Sequence, residues 1–255
     1  MGIRLTFLGT GTSQGIPLIA CTCRVCISSD HHDKRLRSSV LIEMHDNTFV
    51  IDTGPDFRQQ MLREDIRKLD AVIFTHEHND HLSGLDDIRA FNFASRKPVE
   101  IYATTAVQTA IRRMFPYIFE ERKYPGIPEL NFHTIDSSPF TILGSEFHPI
   151  DVMHHKLPVK AFRIGDLTYI TDANYISEAD LKKIAGSRII IINALRREEH
   201  ISHFTLKEAV DLLVKLKPEK GYLTHISHQL GLHNEISKGL PSWIQPAYDG
   251  LKVEV

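Results

Sequence analysis

The 255-residue sequence has only three cysteines, one tryptophan and no long apolar run. No segment approaches the roughly 18 apolar residues that a membrane-spanning helix needs, so we expect no membrane partner. Lys and Arg total 30 against 32 Asp and Glu, so the basic excess of a general nucleic-acid binder is missing, and we do not expect nucleic acid as a partner. The N-terminal run from Met1 to Leu8 is too short for a signal peptide and predicts a strand. We therefore expect a cytoplasmic protein.

The few cysteines are crowded together, because Cys21, Cys23 and Cys26 all fall within six residues. An odd, crowded set without a secretion signal is a poor disulfide framework. Thiolates at this spacing converge easily on one soft metal ion, and zinc is the ion that closely spaced cysteines most often indicate. The alternative is a set of reduced, partly buried thiols. The spacing favours the metal site.

The rest of the sequence has the pattern of one α/β domain covering residues 1–255, without repeats or low-complexity stretches. Short runs rich in β-branched residues predict strands at Leu5–Leu8, Val40–Met44, Phe49–Asp52, Ala71–Thr75, Glu100–Ala103, Ala161–Ile164, Thr168–Asp172, Ile189–Asn193 and Gly221–Thr224. Helical periodicity predicts helices at Phe57–Lys68, Leu85–Phe93, Ala106–Phe115, Ser177–Ala185 and Leu206–Leu216.

Local signals add turns and helix caps to this outline. His45, Asp46 and Asn47 predict a hairpin between the second and third strands. Ser177 and Thr205 have the right chemistry for helix N-caps. The segment from Pro116 to Pro128 holds three prolines and little periodicity, so it predicts a surface excursion.

Polar residues stand at the C-terminal ends of several predicted strands: Asp52, His76, Asp172, Asn193 and His225. Ligands collect at such strand ends in layered α/β folds, because the rigid sheet meets the loops there.

The strongest motif, His76-x-His78-x-Asp80-His81, directly follows an apolar strand. Four potential ligands in six residues cannot all face a core without leaving polar groups unpaired. Imidazole and carboxylate together suit zinc, and also manganese or iron. On a tight loop, two of the histidines can bind one ion while Asp80 and His81 turn towards a second. A solvated, metal-free loop is the alternative, and the specificity of the motif disfavours it.

This motif, with its preceding strand and Ile51-Asp52-Thr53-Gly54, resembles the signature of the metallo-β-lactamase superfamily. The resemblance implies an αββα sandwich, two mixed sheets flanked by helices, with two divalent ions (Zn or Mn) at one edge. It further implies one ion bound by His76, His78 and His154 and another by Asp80, His81 and His225. Asp172 would bridge both ions, and Asp52 would orient a ligating histidine through a hydrogen bond.

Further motifs narrow the resemblance to the phosphoribosyl 1,2-cyclic phosphate phosphodiesterases of the carbon–phosphorus lyase pathway. They are the run from Gly9 to Pro17, the Cys-x-Cys-x-x-Cys run, Leu223 to Gln229 and Tyr248-Asp249-Gly250, so the likeness extends over almost the whole chain. It implies one structural zinc held by Cys21, Cys23, Cys26 and His228. It also favours His154 over the adjacent His155 as the ligand.

The same resemblance places a phosphate-contacting histidine at His203, before a predicted helix. His203 would donate a proton to the departing sugar oxygen or hydrogen-bond it, while Asp80 would serve catalysis through the metal. His200 is a second candidate for the substrate contact and the proton donor. Arg196 is a candidate phosphate contact, with a solvated charged loop as the alternative.

The sequence therefore predicts a dinuclear metal-dependent phosphodiesterase, a phosphoric diester hydrolase acting on a small cyclic or diester phosphate. A tRNA 3′-processing endonuclease ranks second, because no long basic insertion is evident. A thioester or lactone hydrolase ranks third. A non-enzymatic metal-binding or sensing protein is disfavoured, because binding alone does not require a bridged metal pair. A homodimer is left open.

Overall fold

The computed structural model describes residues 2–121 and 124–255. Met1, at the start of the predicted N-terminal strand, and Arg122 and Lys123 of the predicted excursion lie outside the described residues. The described strands are β1 Arg4–Gly9, β2 Ser39–Met44, β3 Asn47–Ile51, β4 Ala71–Ile73, β5 Val99–Ala103, β6 Leu130–Thr134, β7 Phe140–Ile142, β8 Ser145–His154, β9 Leu157–Ile164, β10 Leu167–Tyr169, β11 Tyr175–Ile176, β12 Ile189–Asn193, β13 Lys220–Thr224, β14 Ile244–Pro246 and β15 Lys252–Glu254. The described α-helices are α1 Phe57–Arg63, α2 Asn79–Leu82, α3 Arg89–Ser95, α4 Thr105–Met114, α5 Glu178–Ile184, α6 Leu206–Leu216 and α7 His233–Lys238.

The strands form two mixed sheets. The first has the order β15-β1-β2-β3-β4-β5-β6, and the second has the order β11-β8-β9-β10-β12-β13-β14, with β7 paired to β8. Strands β3 and β4 are parallel in the first sheet, as are β10, β12 and β13 in the second. The C-terminal ends of parallel neighbours lie at the same edge of a sheet, so each group delivers its following loops to one place.

Three apolar clusters divide the molecule into layers. Between the sheets, Phe7, Phe49 and Ile73 of the first sheet pack with Phe162 and Ile191 of the second. A second cluster joins the outer face of the first sheet to α1, α3 and α4. A third joins the outer face of the second sheet to helices that include α5, α6 and α7. The predicted αββα sandwich is confirmed.

Several local predictions are also confirmed. His45 and Asp46 connect β2 to β3 with φ angles of 51° and 61°, the backbone that a two-residue hairpin turn needs. Ser177 caps α5 by accepting from the Asp180 amide. Thr205 begins α6 with a capping box in which the Glu208 side chain bonds back to the Thr205 amide.

The structure corrects the predicted helix over Phe57–Lys68, because α1 ends at Arg63. Asp65 adopts a φ of 53°, which turns the chain away from the helix and back towards β4. Five short strands were not predicted: β6, β7, β11, β14 and β15. The predicted excursion begins with a 3-10 turn at Pro116–Phe119, whose Ile118 is buried against the first sheet's helices.

Across the described part of the chain, none of the helices is both long and apolar enough to cross a membrane.

Candidate metal centre

The strand-end polar residues meet at one edge of the sandwich. Asp52 follows β3 and His76 lies just beyond β4, while Asp172 and His225 follow the β10 and β13 ends of the other sheet. Asp52, Asp172 and His225 have φ angles of 66°, 52° and 53°. Left-handed backbone at non-glycine residues costs of order 1–3 kcal/mol and persists only where the surroundings enforce it, typically at functional sites. The strand ends are thus built to turn these side chains inward.

Gly54 allows the loop after β3 to pack against the His76–His81 motif. A Cβ atom at Gly54 would lie 2.2 Å from the Asp80 carbonyl oxygen, closer than any real contact. The Thr53 amide donates to the His81 carbonyl at 2.8 Å across the same junction. The glycine is therefore required by the close approach of the two loops, which aims Asp80 and His81 towards the second sheet.

The Asp52 carboxylate connects the loop after β4 to the ring of His81. The fully buried Asp52 carboxylate accepts from the Thr75 amide at 2.9 Å and from the Thr75 hydroxyl at 2.8 Å. The same carboxylate lies 2.7 Å from His81 Nδ1. A histidine held this way presents its other nitrogen, Nε2, in a fixed direction, as histidines that ligate metals do.

One predicted ligand set converges around that nitrogen. His81 Nε2 lies 3.3 Å from an oxygen of Asp80 and 3.2 Å from Oδ2 of Asp172. His225 Nδ1 lies 3.1 Å from the same Asp172 oxygen. One donor atom from each of the four residues falls within 4.8 Å of the others. The structure brings Asp80, His81, Asp172 and His225 together at a spacing that one metal ion can span.

The three histidines of the other predicted set also cluster. The ring of His78 lies 4.6 Å from that of His76 and 5.0 Å from that of His154, measured between centroids. His154 Nδ1 lies 2.8 Å from the Ser202 carbonyl oxygen, which leaves Nε2 free. His155 occupies the exposed turn between β8 and β9, with its amide donating to Asn174.

Unpartnered buried nitrogens fit bound metal. His76 Nε2, His81 Nε2, His203 Nδ1 and His225 Nδ1 are buried without a hydrogen-bond partner among the described residues. Each such atom costs about 1–3 kcal/mol unless something satisfies it. A pair of divalent ions between imidazole and carboxylate donors would do so, and the donor set suits zinc or manganese.

The protonation states of His76, His225 and Asp172 suit metal binding. Burial lowers the pKa of His76 well below its ordinary value, and burial also lowers the pKa of His225. Burial acts against ionisation of Asp172, but His225 and His81 outweigh it and hold its pKa well below the usual range. Neutral imidazoles and ionised carboxylates are the forms that coordinate metals. His81 differs, because the carboxylates of Asp172, Asp52 and Asp80 outweigh burial and raise its pKa well above the ordinary value, so His81 must release a proton to bind a metal.

His203 lies beside both sets. Its Nδ1 is 3.9 Å from Asp172 Oδ1, and its ring centroid lies 4.5 Å from that of His154 and 4.8 Å from that of His225. Donor atoms of His154, Asp172 and His203 fall within 4.8 Å of one another, so the geometry also permits His203 as a ligand. Burial and His225 lower the pKa of His203 to about 2, so the ring is neutral in the free protein.

His200 and Arg196 are placed less directly. The ring of His200 lies 5.1 Å from that of His203, with its Nδ1 accepting from the Ser202 amide at 3.3 Å. Arg196 donates to the carbonyl oxygens of Glu198 and Glu199 and to the Gln229 side chain. Because three guanidinium nitrogens bond to the chain itself, the contacts seen for Arg196 shape its own loop. Its contact with a phosphate stays a prediction.

Residues that the motifs did not identify complete the site. Thr12, from the glycine-rich opening, places Oγ1 3.1 Å from His225 Nε2. The Ser202 carbonyl holds His154, and its backbone role leaves no trace in the residue type. The Asn193 side chain, noted only as a strand end, bonds to the backbone of Ala173.

A separate cluster joins the three cysteines to His228, which lies three residues after His225. The thiol sulfurs of Cys21, Cys23 and Cys26 lie 3.4, 3.3 and 3.6 Å from His228 Nδ1, and none of the three forms a disulfide. A tetrahedral zinc with bonds of about 2.3 Å to sulfur and 2.0 Å to nitrogen puts those atoms roughly 3.5 Å apart. The four residues fit a closed structural zinc site.

Comparison with known proteins identifies the family. A family model described as the β-lactamase superfamily domain matches residues 47–226, which include every residue of the two predicted active-site ligand sets. The chain belongs to the β-lactamase superfamily. A solved structure, the crystal structure of a new diphosphatase from the PhnP family, is 40% identical and matches 100% of this chain and 98% of that one with a TM-score of 0.94. The two findings together support a metal-dependent hydrolase.

Curated relatives add two other names. An octanoyltransferase of Porphyromonas gingivalis is 39% identical over 253 residues, covering 98% of this chain and 51% of that protein. A ribonuclease Z of Lactococcus lactis is 23% identical over 188 residues, covering 70% of this chain and 56% of that protein. The chain thus spans about half the length of the curated relatives it matches. With a ribonuclease among them, the expectation that nucleic acid is not a partner has no support.

Proposed function

We propose that this chain is a dinuclear metal-dependent phosphodiesterase that hydrolyses a small cyclic or diester phosphate, such as phosphoribosyl 1,2-cyclic phosphate. The observation that carries the proposal is the position of Asp172. Its carboxylate belongs to the donor group of Asp80, His81 and His225, and it also lies within 4.8 Å of a donor atom of His154, a member of the other proposed ligand set. A carboxylate shared by two donor groups is what a bridged metal pair requires.

Two ions held there would activate a water molecule near neutral pH and neutralise charge on phosphoryl oxygens. The chain's own residues supply the rest. His76, His78 and His154 would hold one ion and Asp80, His81 and His225 the other, while Asp52 keeps His81 in register. Asp80 and Asp172 would be occupied as ligands and therefore would not act as general bases.

His203 would act on the leaving group. Its buried Nδ1 has no hydrogen-bond partner among the described residues and lies 3.9 Å from Asp172 Oδ1, and its ring neighbours those of His154 and His225. A neutral ring can donate a hydrogen bond to the departing oxygen, and it can donate a proton once the anionic substrate raises its pKa. His200, whose ring neighbours that of His203, would contact the substrate from the outer side.

A structural zinc in the Cys21, Cys23, Cys26 and His228 cluster would be a third ion, outside the reaction. It would fix the loop of Leu18 to Cys26 against the segment that begins with His225, because His225 and His228 lie three residues apart.

A ribonuclease Z-type endonuclease is the second candidate, favoured by the curated relatives of that name. The near-balanced charge of the chain, −2 at pH 7, argues against tight binding of a polyanion. A thioester hydrolase is the third. The octanoyltransferase relative does not directly support a thioester hydrolase, because about half of that protein lies outside the match.

The deciding experiment is an assay of purified, Mn²⁺- or Zn²⁺-loaded protein against three substrate sets. They are small cyclic phosphates and nucleotide diesters, a tRNA precursor at several salt concentrations, and an octanoyl thioester. Asp172→Ala serves as the metal-site control. Hydrolysis of the small diesters alone is expected. Preference for the tRNA precursor or the thioester would replace the proposal, and metal binding without hydrolysis of any set would favour a metal-binding or sensing protein.

A further inference from the structure

Asn193, the last residue of β12, makes contacts that the ligand sets do not explain. Its side chain is fully buried. Its Oδ1 accepts from the Ala173 amide at 2.9 Å, and its Nδ2 donates to the Ala173 carbonyl at 2.9 Å. One side-chain amide therefore pairs with both backbone groups of a single residue, as a neighbouring strand would.

Ala173 connects two parts of the candidate site. It directly follows Asp172, whose backbone holds a φ of 52°. Its carbonyl also accepts from the amide of Phe204 at 2.7 Å, and Phe204 directly follows His203. The backbone of Ala173, next to Asp172, thus bonds both to Phe204, next to His203, and to the Asn193 side chain.

The ladder between β10 and β12 does not extend to this turn, and the chain rejoins the sheet at Asn174, whose amide donates to the Met153 carbonyl at 2.8 Å. Strand β10 ends at Tyr169, three residues before Asp172, and Ile170 makes the last backbone bond to β12 by donating to Ile191. Beyond that point the chain leaves the sheet with a left-handed residue. The Asn193 amide takes the place of ladder bonds beside Asp172. Ile170, Ile192 and Phe204, which belong to the same buried apolar cluster as Ala173, exclude competing water.

We propose that Asn193 is a positioning residue for the metal centre: by clamping Ala173 it sets Asp172 and His203 at a fixed distance from each other. The inference rests on the proposed function only in taking Asp172 as a metal ligand. Among the described residues, the side-chain hydrogen bonds of Asn193 go to Ala173 and not to the proposed ligand atoms. Loss of the clamp leaves the donor set complete but loosens the carboxylate shared by both groups.

The test compares two buried asparagines that both bond to backbone. Asn92 of α3 donates to the carbonyls of Lys97 and Glu129 and accepts from the Glu129 amide, on the outer face of the other sheet. Asn193→Leu and Asn92→Leu each replace an amide by an apolar side chain of similar size. Affinity for Mn²⁺ and for Zn²⁺ is measured by competition with a chelator, and the melting temperature is measured on the same samples.

We expect both variants to melt at lower temperature and only Asn193→Leu to lose metal affinity, by about 10–100-fold, the range found when residues that orient ligands are removed. Unchanged affinity in Asn193→Leu, or an equal loss in Asn92→Leu, would overturn the proposal. If Asn193→Leu does not fold, Asn193→Ser and Asn92→Ser replace the pair. A serine hydroxyl is too short to reach both Ala173 groups, so the affinity loss is again expected at position 193 alone.

The outcome is independent of the substrate. Protein that binds the metals but hydrolyses no phosphodiester would refute the proposed function, while the difference between the two asparagine variants would still decide the role of Asn193. A protein that hydrolyses diesters with unchanged metal affinity in Asn193→Leu and Asn193→Ser would refute this inference alone.

Discussion

At the scale of single residues, the site depends on a few side chains that each contact more than one other site residue. Asp172 is the extreme case, since one of its oxygens lies within 3.2 Å of both His81 Nε2 and His225 Nδ1 and the other faces His203. Removing a residue of this kind changes two sites at once, whereas removing an orienting residue such as Asp52 changes only the aim of one ligand.

Asp172→Ala should abolish hydrolysis and release most of the metal from the dinuclear site. A lost ligand should cost more than the roughly 10–100-fold typical of residues that only orient ligands. Elemental analysis and diester hydrolysis give the readouts. Asp166→Ala, in the exposed turn before β10, is the matched control and should change neither. Full metal content in a folded Asp172→Ala protein would contradict the bridging role.

His203→Ala should slow turnover while both active-site ions remain bound. General acid catalysis contributes ~10²–10⁴-fold, so a loss in that range is expected with an alkoxide leaving group and a much smaller one with p-nitrophenolate. His148→Ala, on β8 and paired with Glu146, is the control. Equal losses on both substrates would mean simple phosphate binding. Loss of metal would make His203 a ligand, as its distance to His154 and Asp172 permits.

At the scale of elements, the loops that follow β3 and β4 act as one unit. They meet through Gly54, which has no room for a side chain against Asp80. The one-turn helix α2 then sets Asp80 and His81 facing the second sheet. The positions of Asp80 and His81 are therefore set by how closely the loop after β3 approaches the loop after β4.

Gly54→Ala should destabilise the protein and weaken metal binding together. Overpacking typically costs about 1–3 kcal/mol, which lowers the melting temperature of a chain this size by several degrees. The control is Gly239→Ala, because a Cβ there would meet its neighbours at an ordinary 3.6 Å. Calorimetry and metal titration check both effects. A Gly54→Ala protein with the stability and metal affinity of the control would show that the loops can separate without consequence.

Cys23→Ser should lower the melting temperature and remove about one equivalent of zinc, with a smaller effect on turnover. A hydroxyl replaces a thiolate at a closed site whose metal contributes folding energy. Thr22→Ser, an exposed neighbour in the same loop, is the control. The readouts are calorimetry and zinc content. Unchanged melting and zinc content would leave the cysteines as reduced thiols.

At the scale of the whole molecule, the candidate site joins the two sheets. His76, His78, Asp80 and His81 come from the first sheet, and His154, Asp172 and His225 come from the second. Ions bound between them would link the layers at one edge, in addition to the apolar core that packs them together over Phe49, Phe147 and Phe162.

Metal should therefore stabilise the fold as a whole. A ligand that binds only the folded state at 1,000 times its dissociation constant adds about 4.1 kcal/mol. For a chain of this size, that corresponds to a rise in melting temperature on the order of 10 °C. Mn²⁺ added to chelator-treated protein should produce this rise, and it should be absent in Asp172→Ala. An equal rise in both proteins would place the stabilising ion elsewhere, with the cysteine cluster as the first alternative.

The sequence by itself was sufficient for the layered fold and for the presence of the chemistry. Alternating and apolar runs gave most of the central strands, and Asp52, His76, Asp172 and His225 stood at their ends because strand ends are locally encoded. The dense histidine motif and the cysteine spacing are local patterns too. The assignment of His228 to the cysteine cluster came from the resemblance, and so did the choice of His154 over the adjacent His155.

Only the tertiary structure decided how those residues are held. The Asp52–His81 bond joins residues 29 apart, the Asn193–Ala173 clamp 20 apart and the Thr12–His225 contact 213 apart. Such contacts depend on sheet order, strand register and left-handed turns at strand ends, none of which leaves a periodic trace in the chain. The bonds of Arg196 to Glu198, Glu199 and Gln229 likewise appear only once the loop is folded. Residue types determine which chemistry is possible, whereas the direction of each side chain is fixed by packing between distant segments.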